Sequence, residues 1–368
     1  MSRTTKQSMF LATAFLIIFN LVSAANAVPN SATAKVDPFQ MDKLLGRGVN
    51  LGNALEAPRE GEWGVTLKEE YFDIIKQAGF NSIRLPTRWS AHAMAEKPYT
   101  IDPNFFKRID WAVNCAISRN MPIMVNIQQY VELYTDPNAH KERFIALWKQ
   151  IAEHYKDYPD KLLLELFNEP DDALTPELWN DFLKDTLAVV RESNPNRIVV
   201  IDPARDSIPS SLKFLKIPEN DRNIIVSVHY YFPLAFTHQG APWMSPKYDP
   251  NSWMGTKWMG TDAEKKAITD EFDIAVAWSK ANNRPVNLGE FGTYKKADME
   301  SRVRWTKFVA DTAAERGMSL LYWEFCAQEF GLYDQQTRSW RKPLLDAVIP
   351  PAVSPPALNK AEGSNPTK

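Results

Sequence analysis

The chain has 368 residues, with 45 acidic and 43 basic side chains and a formal charge of −2. A protein that follows nucleic-acid phosphates needs a basic excess, so this balance argues against nucleic acid as a partner. Glycine is scarce, at 14 residues, which excludes collagen-like and glycine-rich disordered classes. Aromatic residues are abundant instead, with 12 tryptophans, 12 tyrosines and 19 phenylalanines.

Residues 1–27 have the order of a secretory signal peptide. A basic start precedes an apolar run of about 14 residues from Met9 to Val22, and Ala25-Asn26-Ala27 is a small-residue cleavage pattern. A membrane anchor needs about 20 apolar residues, and Asn20 interrupts this run. We therefore expect a secreted or periplasmic protein without a membrane partner.

Eight short apolar segments are predicted as strands: Arg47–Leu51, Ser82–Pro86, Pro122–Ile127, Leu162–Phe167, Arg197–Ile201, Ile224–Val228, Pro285–Gly289 and Ser319–Phe325. Amphipathic patterns between them predict helices: Leu67–Ala78, Phe105–Arg119, Lys141–Tyr155, Pro176–Glu192, Asp262–Lys280, Asp298–Arg316 and Lys342–Val348. Only the connection after the fifth strand, residues 207–215, is poorly helical. The proline-rich residues 350–368 predict a disordered tail, which leaves residues 36–349 as one catalytic domain.

The alternation of strands and helices predicts an α/β fold with a parallel sheet. The strands are apolar throughout, as expected when both faces of a sheet are buried. Eight such units in one series favour a (β/α)₈ TIM barrel. A doubly wound open sheet is the alternative, although it usually has fewer strands.

The strand ends are where function lies in a barrel, because the loops that follow them build the active site. Glu169 follows the fourth strand and Glu290 the seventh, so their carboxyl groups are expected to converge. A buried carboxyl needs a partner or a raised pKa, and neither residue fits a plain core. Two facing carboxyl groups are the minimum set for glycoside hydrolysis.

Further strand-end residues suit that chemistry. Arg84 would keep a neighbouring carboxylate ionised, Tyr231 would donate a hydrogen bond to it, and Trp323 offers a flat face to a sugar ring. Asn168 would bond a sugar hydroxyl or orient the acid. A structural arginine and a core tryptophan are the plainer alternatives. The histidines form no H-x-H or H-E-x-x-H pattern, so we expect no metal and no cofactor.

The sequence resembles glycoside hydrolase family 5, which groups secreted cellulases, mannanases and related β-glycanases. The matching segments span residues 41–345: Gly48–Asn53, Ile83–Pro86, Asn168-Glu169-Pro170, His229-Tyr230-Tyr231, Phe236–Ala241, Leu288–Gly292 and Tyr322–Phe325. They are most similar to the segments of bacterial endoglucanases, some of which also cleave mannans.

This resemblance implies a retaining hydrolase, with Glu169 as acid/base, Glu290 as nucleophile and about 5–5.5 Å between the two carboxyl groups. It implies that Asn168 bonds the sugar 2-hydroxyl and that Trp323 stacks under the sugar. Other positions expected to support the site or line it are Asn50, Trp63, Arg84, His229 and Tyr231. The expected partner is a polysaccharide or oligosaccharide, and the expected state is a monomer.

Three departures from the family pattern affect the expected sugar contacts. Gln128-Gln129 stands where relatives usually carry two histidines, and glutamine donates and accepts hydrogen bonds but takes no positive charge. Asp171 replaces a histidine, and Arg205-Asp206 replaces Glu-Trp. The sequence therefore leaves three functions open: an endo-β-1,4-glucanase, a β-mannanase or other β-glycanase, and a glycan-binding homologue with weakened catalysis.

The tryptophans divide by predicted position. Those on helices are expected in the core: Trp111, Trp148, Trp179, Trp278 and Trp305. Those in or beside strand-end loops are expected to line a sugar cleft: Trp63, Trp89, Trp243, Trp253, Trp258 and Trp323.

Overall fold

A computed structural model describes residues 37–245 and 247–351 of the chain. Eight parallel strands close into a barrel in sequence order, and the first strand pairs with the eighth. The predicted barrel is confirmed and the open-sheet alternative is wrong. The proposed signal peptide and most of the proposed tail lie outside the described residues. The strands are β1 Arg47–Asn50, β2 Ile83–Leu85, β3 Ile123–Asn126, β4 Leu162–Glu165, β5 Val199–Ile201, β6 Ile224–Tyr230, β7 Val286–Phe291 and β8 Leu320–Tyr322.

Helices surround the barrel, and each predicted helix is present with ends shifted by a few residues. They are α1 Pro38–Leu45, α2 Glu69–Gln77, α3 Pro103–Ser118, α4 Val131–Thr135, α5 Pro137–Tyr155, α6 Pro176–Ser193, α7 Leu234–Thr237, α8 Asp262–Asn282, α9 Met299–Glu315 and α10 Lys342–Val348. The connection after β5 is a 3₁₀ helix, Pro209–Phe214, as the weak helical pattern there indicates.

Local sequence explains where the helices begin. The Thr175 side chain accepts a hydrogen bond from the Leu178 amide and proline occupies the first turn, so α6 begins there. Thr261 and Glu264 form a reciprocal capping box at the start of α8. Helix α1 was not predicted. It begins at a proline after Asp37, and its buried Asp42 bonds Ser319 before β8.

The strands are buried on both faces, and the main core lies between barrel and helices. Within that core, Trp148, Trp179 and Trp305 are fully buried, as predicted. Both cysteines, Cys115 and Cys326, are buried free thiols. Among the described helices, we find none with the length and apolar character needed to cross a bilayer.

Candidate active site

Glu169 and Glu290 meet at the carboxyl ends of the strands. One oxygen of each carboxyl group and one ring nitrogen of His229 all lie within 4.8 Å of one another. This spacing is compatible with the shorter separation of retaining glycosidases and too small for the 6.5–9.5 Å typical of inverting enzymes. The three donors lie close enough to hold a cation, although each already has protein partners.

Irregular pairing between β6 and β7 brings His229 opposite Glu290. The register shifts after Val228, so His229 pairs with Glu290 and not with the preceding Gly289. Such a bulge re-aims side chains beside a site. A Cβ atom at Gly289 would overlap the Ser227 hydroxyl and lie 3.0 Å from His229 Nε2, so only glycine fits this approach.

Arg84, fully buried on β2, links the site to the barrel interior. Its Nη1 lies 2.5 Å from Glu290 Oε1, while Nε and Nη2 donate to both oxygens of Glu165 at 2.7 and 2.5 Å. The same guanidinium donates to Asn50 Oδ1 and Asn168 Oδ1, at 2.9 and 2.7 Å. Every donor group of the arginine therefore has an acceptor, which is the condition for keeping a charge in the core.

Glu290 is nine-tenths buried or more and accepts hydrogen bonds on both oxygens. Tyr231 donates its hydroxyl to Oε2 at 2.8 Å, opposite the Arg84 bond to Oε1. Burial raises the pKa of Glu290, whereas the charge of Arg84 and the Tyr231 hydrogen bond act against that rise. These two contacts stabilise the ionised carboxylate that a nucleophile requires.

Glu169 has a different environment. Its side chain keeps about 29% of its surface exposed, and its Oε1 lies 2.7 Å from His229 Nδ1. Burial raises the pKa of Glu169 to about 7, with a further contribution from the Asp171 carboxylate and opposition from Arg84. Burial lowers the pKa of His229 to about 4, so the imidazole stays neutral near pH 7. Glu169 is thus suited to hold a proton.

The cleft has two halves that meet at Tyr231, His238 and Trp243. The first, about 570 Å³, is lined by Asn53, Glu56, Trp63, Gln128, Gln129, Tyr231, His238, Pro242, Trp243, Tyr294, Trp323, Glu329 and Phe330. The second, about 320 Å³, is lined by Glu169, Asp206, Ile208, His229, Tyr231, Phe232, Leu234, His238, Trp243, Met244, Ser245, Lys247 and Tyr248. The two halves together adjoin Glu169 directly and Glu290 through Tyr231, which lines both halves and bonds the Glu290 carboxyl group.

The first half is lined, as expected, by Trp323, Trp63 and Gln129. Gln128 also lines it, but the amide oxygen of Gln128 is bonded by another side chain of the protein. Asn126 Nδ2 donates to Gln128 Oε1 at 3.0 Å and lies 3.4 Å from Glu165. The Gln128 oxygen is thus engaged by protein, which leaves the amide NH₂ group as the available donor. This link connects the glutamine to the Arg84 network.

Four expectations need correction or refinement. Asn50 does not reach the cleft, because its amide nitrogen donates to the Gly289, Leu321 and Tyr322 carbonyls beneath it. Trp89 and Trp258 are 0% and 1% exposed, so their assignment to the cleft was wrong. The Arg205 guanidinium lies over the Phe214 ring at 4.2 Å and is not part of the cleft wall.

Some site residues were missed by the sequence reasoning. Glu165 and Asp202 are fully buried carboxyl groups at the ends of β4 and β5, and both interact with the catalytic neighbourhood. Each is a single acidic residue beside an apolar run, and that signal could have identified them because a buried charge needs a partner. Glu56 was also missed; it lines the cleft and accepts from the Asn53 and Ala54 amides.

A closed (β/α)₈ barrel with a carboxyl pair at its strand ends is an arrangement typical of glycoside hydrolases. The chain belongs to the cellulase family, glycosyl hydrolase family 5, whose pattern it matches over residues 43–329.

Known proteins are similar over most of the chain. Endoglucanase H of Acetivibrio thermocellus is 37% identical over 332 residues, which are 89% of this chain and 35% of that protein. The chain thus spans about a third of this curated relative. Two solved structures of Thermotoga maritima Cel5A, one with mannotriose and one with cellobiose, are 50% and 49% identical, each with a TM-score of 0.82. Each covers 85% of this chain and 100% of its own.

Proposed function

We propose that the chain is a retaining endo-β-1,4-glucanase with Glu290 as nucleophile and Glu169 as acid/base. The observation that carries this proposal is the asymmetry of the pair. Glu290 is bonded by Arg84 and Tyr231, whereas Glu169 contacts a neutral histidine and has a pKa raised to about 7. Burial raises the pKa of both groups, but only Glu290 has a cation and a hydroxyl donor on its two oxygens that favour the ionised form, and this difference divides the acid and nucleophile roles.

In the first step, a Glu290 oxygen attacks the anomeric carbon as the glycosidic C–O bond breaks. Glu169 gives its proton to the departing oxygen, so the leaving sugar departs as a neutral alcohol. In the second step, Glu169 removes a proton from water as the water oxygen attacks the anomeric carbon. The ester bond breaks and Glu290 leaves as a carboxylate, which Arg84 and Tyr231 stabilise.

The two cleft halves then take opposite ends of the glycan. Because Glu169 protonates the leaving group, the half that contains Glu169 and Asp206 takes the leaving sugar. The half with Trp323, Trp63 and Gln129 takes the sugar that becomes attached to Glu290. Aromatic faces in both halves suit pyranose rings, whose axial C–H groups form a flat apolar patch.

A β-mannanase is the second candidate. It is favoured by the similarity to Cel5A, which has been solved with mannotriose as well as with cellobiose. Release of reducing ends from soluble β-1,4-glucan and from β-1,4-mannan, with kcat/KM compared on oligosaccharides of equal length, separates the two. A higher kcat/KM on mannan would replace the glucanase proposal.

The intact contacts of both carboxyl groups argue against the third function, a glycan-binding homologue with weakened catalysis. Binding of glucan by calorimetry without release of reducing ends, and with Glu290→Gln equal to the parent, would support that reading instead.

We also propose that the protein is exported after cleavage behind Ala27 and acts as a monomer. The order of residues in the first 27 positions supports export. N-terminal sequencing of protein recovered outside the cytoplasm and light scattering of the purified chain test these two points.

A further inference from the structure

Asp202, at the end of β5, is a fully buried carboxyl group that the mechanism above does not use. Its Oδ2 accepts a hydrogen bond from Ser207 Oγ at 2.9 Å and one from the Glu169 backbone amide at 3.4 Å. The same oxygen lies 3.5 Å from His229 Nε2. All three neighbours therefore belong to the surroundings of the acid/base residue.

These contacts close a ring around Glu169. The Ser207 carbonyl accepts from the His229 amide at 2.9 Å, and His229 Nδ1 lies 2.7 Å from Glu169 Oε1. The Arg205 amide donates to the Pro170 carbonyl at 2.7 Å, which ties the same turn to the residue after Glu169. The ends of β4, β5 and β6 are thus joined through one carboxyl group and one turn.

Backbone strain is concentrated in this ring. Glu169 has φ of 45°, and three consecutive residues, Arg205, Asp206 and Ser207, have φ of 66°, 54° and 55°. Left-handed conformations of this kind cost about 1–3 kcal/mol for each non-glycine residue and persist only where the surroundings hold them. Asp202 bonds Glu169 and Ser207 directly, so it contributes to holding both strained segments.

We propose that Asp202 is a positioning residue for the acid/base, because it bonds the Glu169 backbone directly and holds Ser207, whose carbonyl bonds the His229 backbone, so that the Glu169 carboxyl reaches the glycosidic oxygen. The inference rests on the proposed function, in which Glu169 is the acid. Asp202 acts on proton delivery and not on nucleophilic attack, since the hydrogen bonds to Glu290 come from Arg84 and Tyr231.

Substrates with different leaving groups separate these two effects. Dinitrophenolate leaves without protonation, whereas phenol needs the acid. We would measure kcat/KM, which reports the first chemical step, on 2,4-dinitrophenyl and phenyl β-cellobiosides. Asp202→Ala should lose about tenfold or more on the phenyl substrate and less than about twofold on the dinitrophenyl substrate, as expected for a misplaced acid.

Conservative replacement should restore the phenyl activity. Asp202→Asn keeps an oxygen that accepts from Glu169 and Ser207, so its phenyl activity should lie within about threefold of the parent. Ser207→Ala removes one of the two bonds and should show the same selective loss, reduced in size. If Asp202→Ala fails to fold, the Ser207→Ala variant provides the test instead.

Asp42→Ala is the matched control, because Asp42 is also buried and accepts from a serine hydroxyl and amide, those of Ser319, at the opposite end of the barrel. Its effect should be equal on both substrates. Equal losses on the two substrates for Asp202→Ala, no loss on either, or a loss in Asp202→Asn as large as in the alanine variant would overturn the inference. A parent protein inactive on both substrates would instead refute the proposed function itself.

Discussion

Arg84 Nη1 lies 2.5 Å from Glu290 Oε1, and the same guanidinium forms two hydrogen bonds with the buried carboxylate of Glu165. One cation therefore stands between two carboxylates inside the barrel. Its removal leaves both of them without their main partner, and this gives the arrangement consequences for stability as well as for activity.

Replacing Arg84 with methionine should lower the free energy of unfolding by about 3–5 kcal/mol, because it leaves buried charges without a partner. Arg84→Lys should recover part of the stability, but lysine cannot reproduce the forked contacts, so activity should stay far below that of the parent. Urea unfolding followed by tryptophan fluorescence, together with kcat, measures both effects.

The control for this prediction is Arg338→Met, whose ion pair with Glu70 has side chains 64% and 40% exposed. Exposed pairs contribute about 0–1 kcal/mol, so this variant should resemble the parent. An Arg84→Met protein as stable as Arg338→Met would refute the role assigned to the buried pair.

The pH dependence of kcat/KM should show an alkaline limb set by Glu169. The acid must be protonated, and its pKa is about 7, so the rate should fall as the pH rises through about 7. The carboxylate of Asp171 contributes to raising the pKa of Glu169, because it opposes the ionisation of its neighbour. Asp171→Asn removes that charge, lowers the pKa of Glu169 and should move the alkaline limb to lower pH.

Rates on an uncharged oligosaccharide between pH 5 and 9 test this shift. Glu169→Gln should remove the limb along with most of the activity. An alkaline limb that stays in place or moves upward in Asp171→Asn would contradict the assignment of Glu169 as the titrating acid.

The effect of replacing a tryptophan should depend on the burial of its side chain and not on its position in a loop. Trp323→Ala removes a cleft wall and should lower kcat/KM by about tenfold, equivalent to about 1.4 kcal/mol of binding. Trp258 is 1% exposed, so Trp258→Ala should instead lower the free energy of unfolding by about 3–5 kcal/mol while KM stays unchanged.

Both variants would be compared by steady-state kinetics and by urea unfolding. If Trp258→Ala raised KM and Trp323→Ala did not, the corrected assignment of these two residues would be wrong.

Gln128→His should add to the pH dependence of KM a change near pH 6.5 that the parent lacks. Glutamine does not titrate, whereas histidine changes charge near pH 6.5. The amide of Gln128 is fixed by Asn126, so the substituted ring would sit at the same cleft wall. KM measured between pH 5.5 and 8 should vary more in the variant than in the parent, and Gln128→Asn serves as the uncharged control. Identical KM profiles in the parent and the histidine variant would show that this position does not contact the sugar.

The barrel could be predicted from sequence because most strands are short apolar runs and the long helices begin at a capping side chain. The carboxyl pair could be predicted because Glu169 and Glu290 directly follow two of those runs. Trp89 lies in a loop on the catalytic face, and such a loop packs against the barrel where its side chains have bonding partners. The burial of Trp89 could therefore not be predicted from the sequence. Trp89 donates to the Asn126 carbonyl at 3.0 Å and contacts Phe105 edge to face.

The departures from the family pattern also show which contacts the sequence alone does not reveal. The family resemblance indicates that Gln128 stands where relatives usually carry a histidine, but not that Asn126 occupies its oxygen, since that bond depends on the local path of the chain after β3. Likewise Arg205-Asp206 differs from the family pattern, yet only the fold shows the arginine over Phe214 and the aspartate in the cleft wall.

Covalent labelling tests the central claim most directly. A 2-deoxy-2-fluoro cellobioside with a dinitrophenyl leaving group should inactivate the enzyme, because the fluorine slows both steps whereas the leaving group accelerates only the first, so the glycosyl–enzyme ester accumulates. Mass spectrometry of the digested protein should place the sugar on Glu290, and Glu290→Gln should remain unlabelled. A label on Glu169 or elsewhere, or inactivation without any covalent sugar, would contradict the retaining mechanism proposed for this pair.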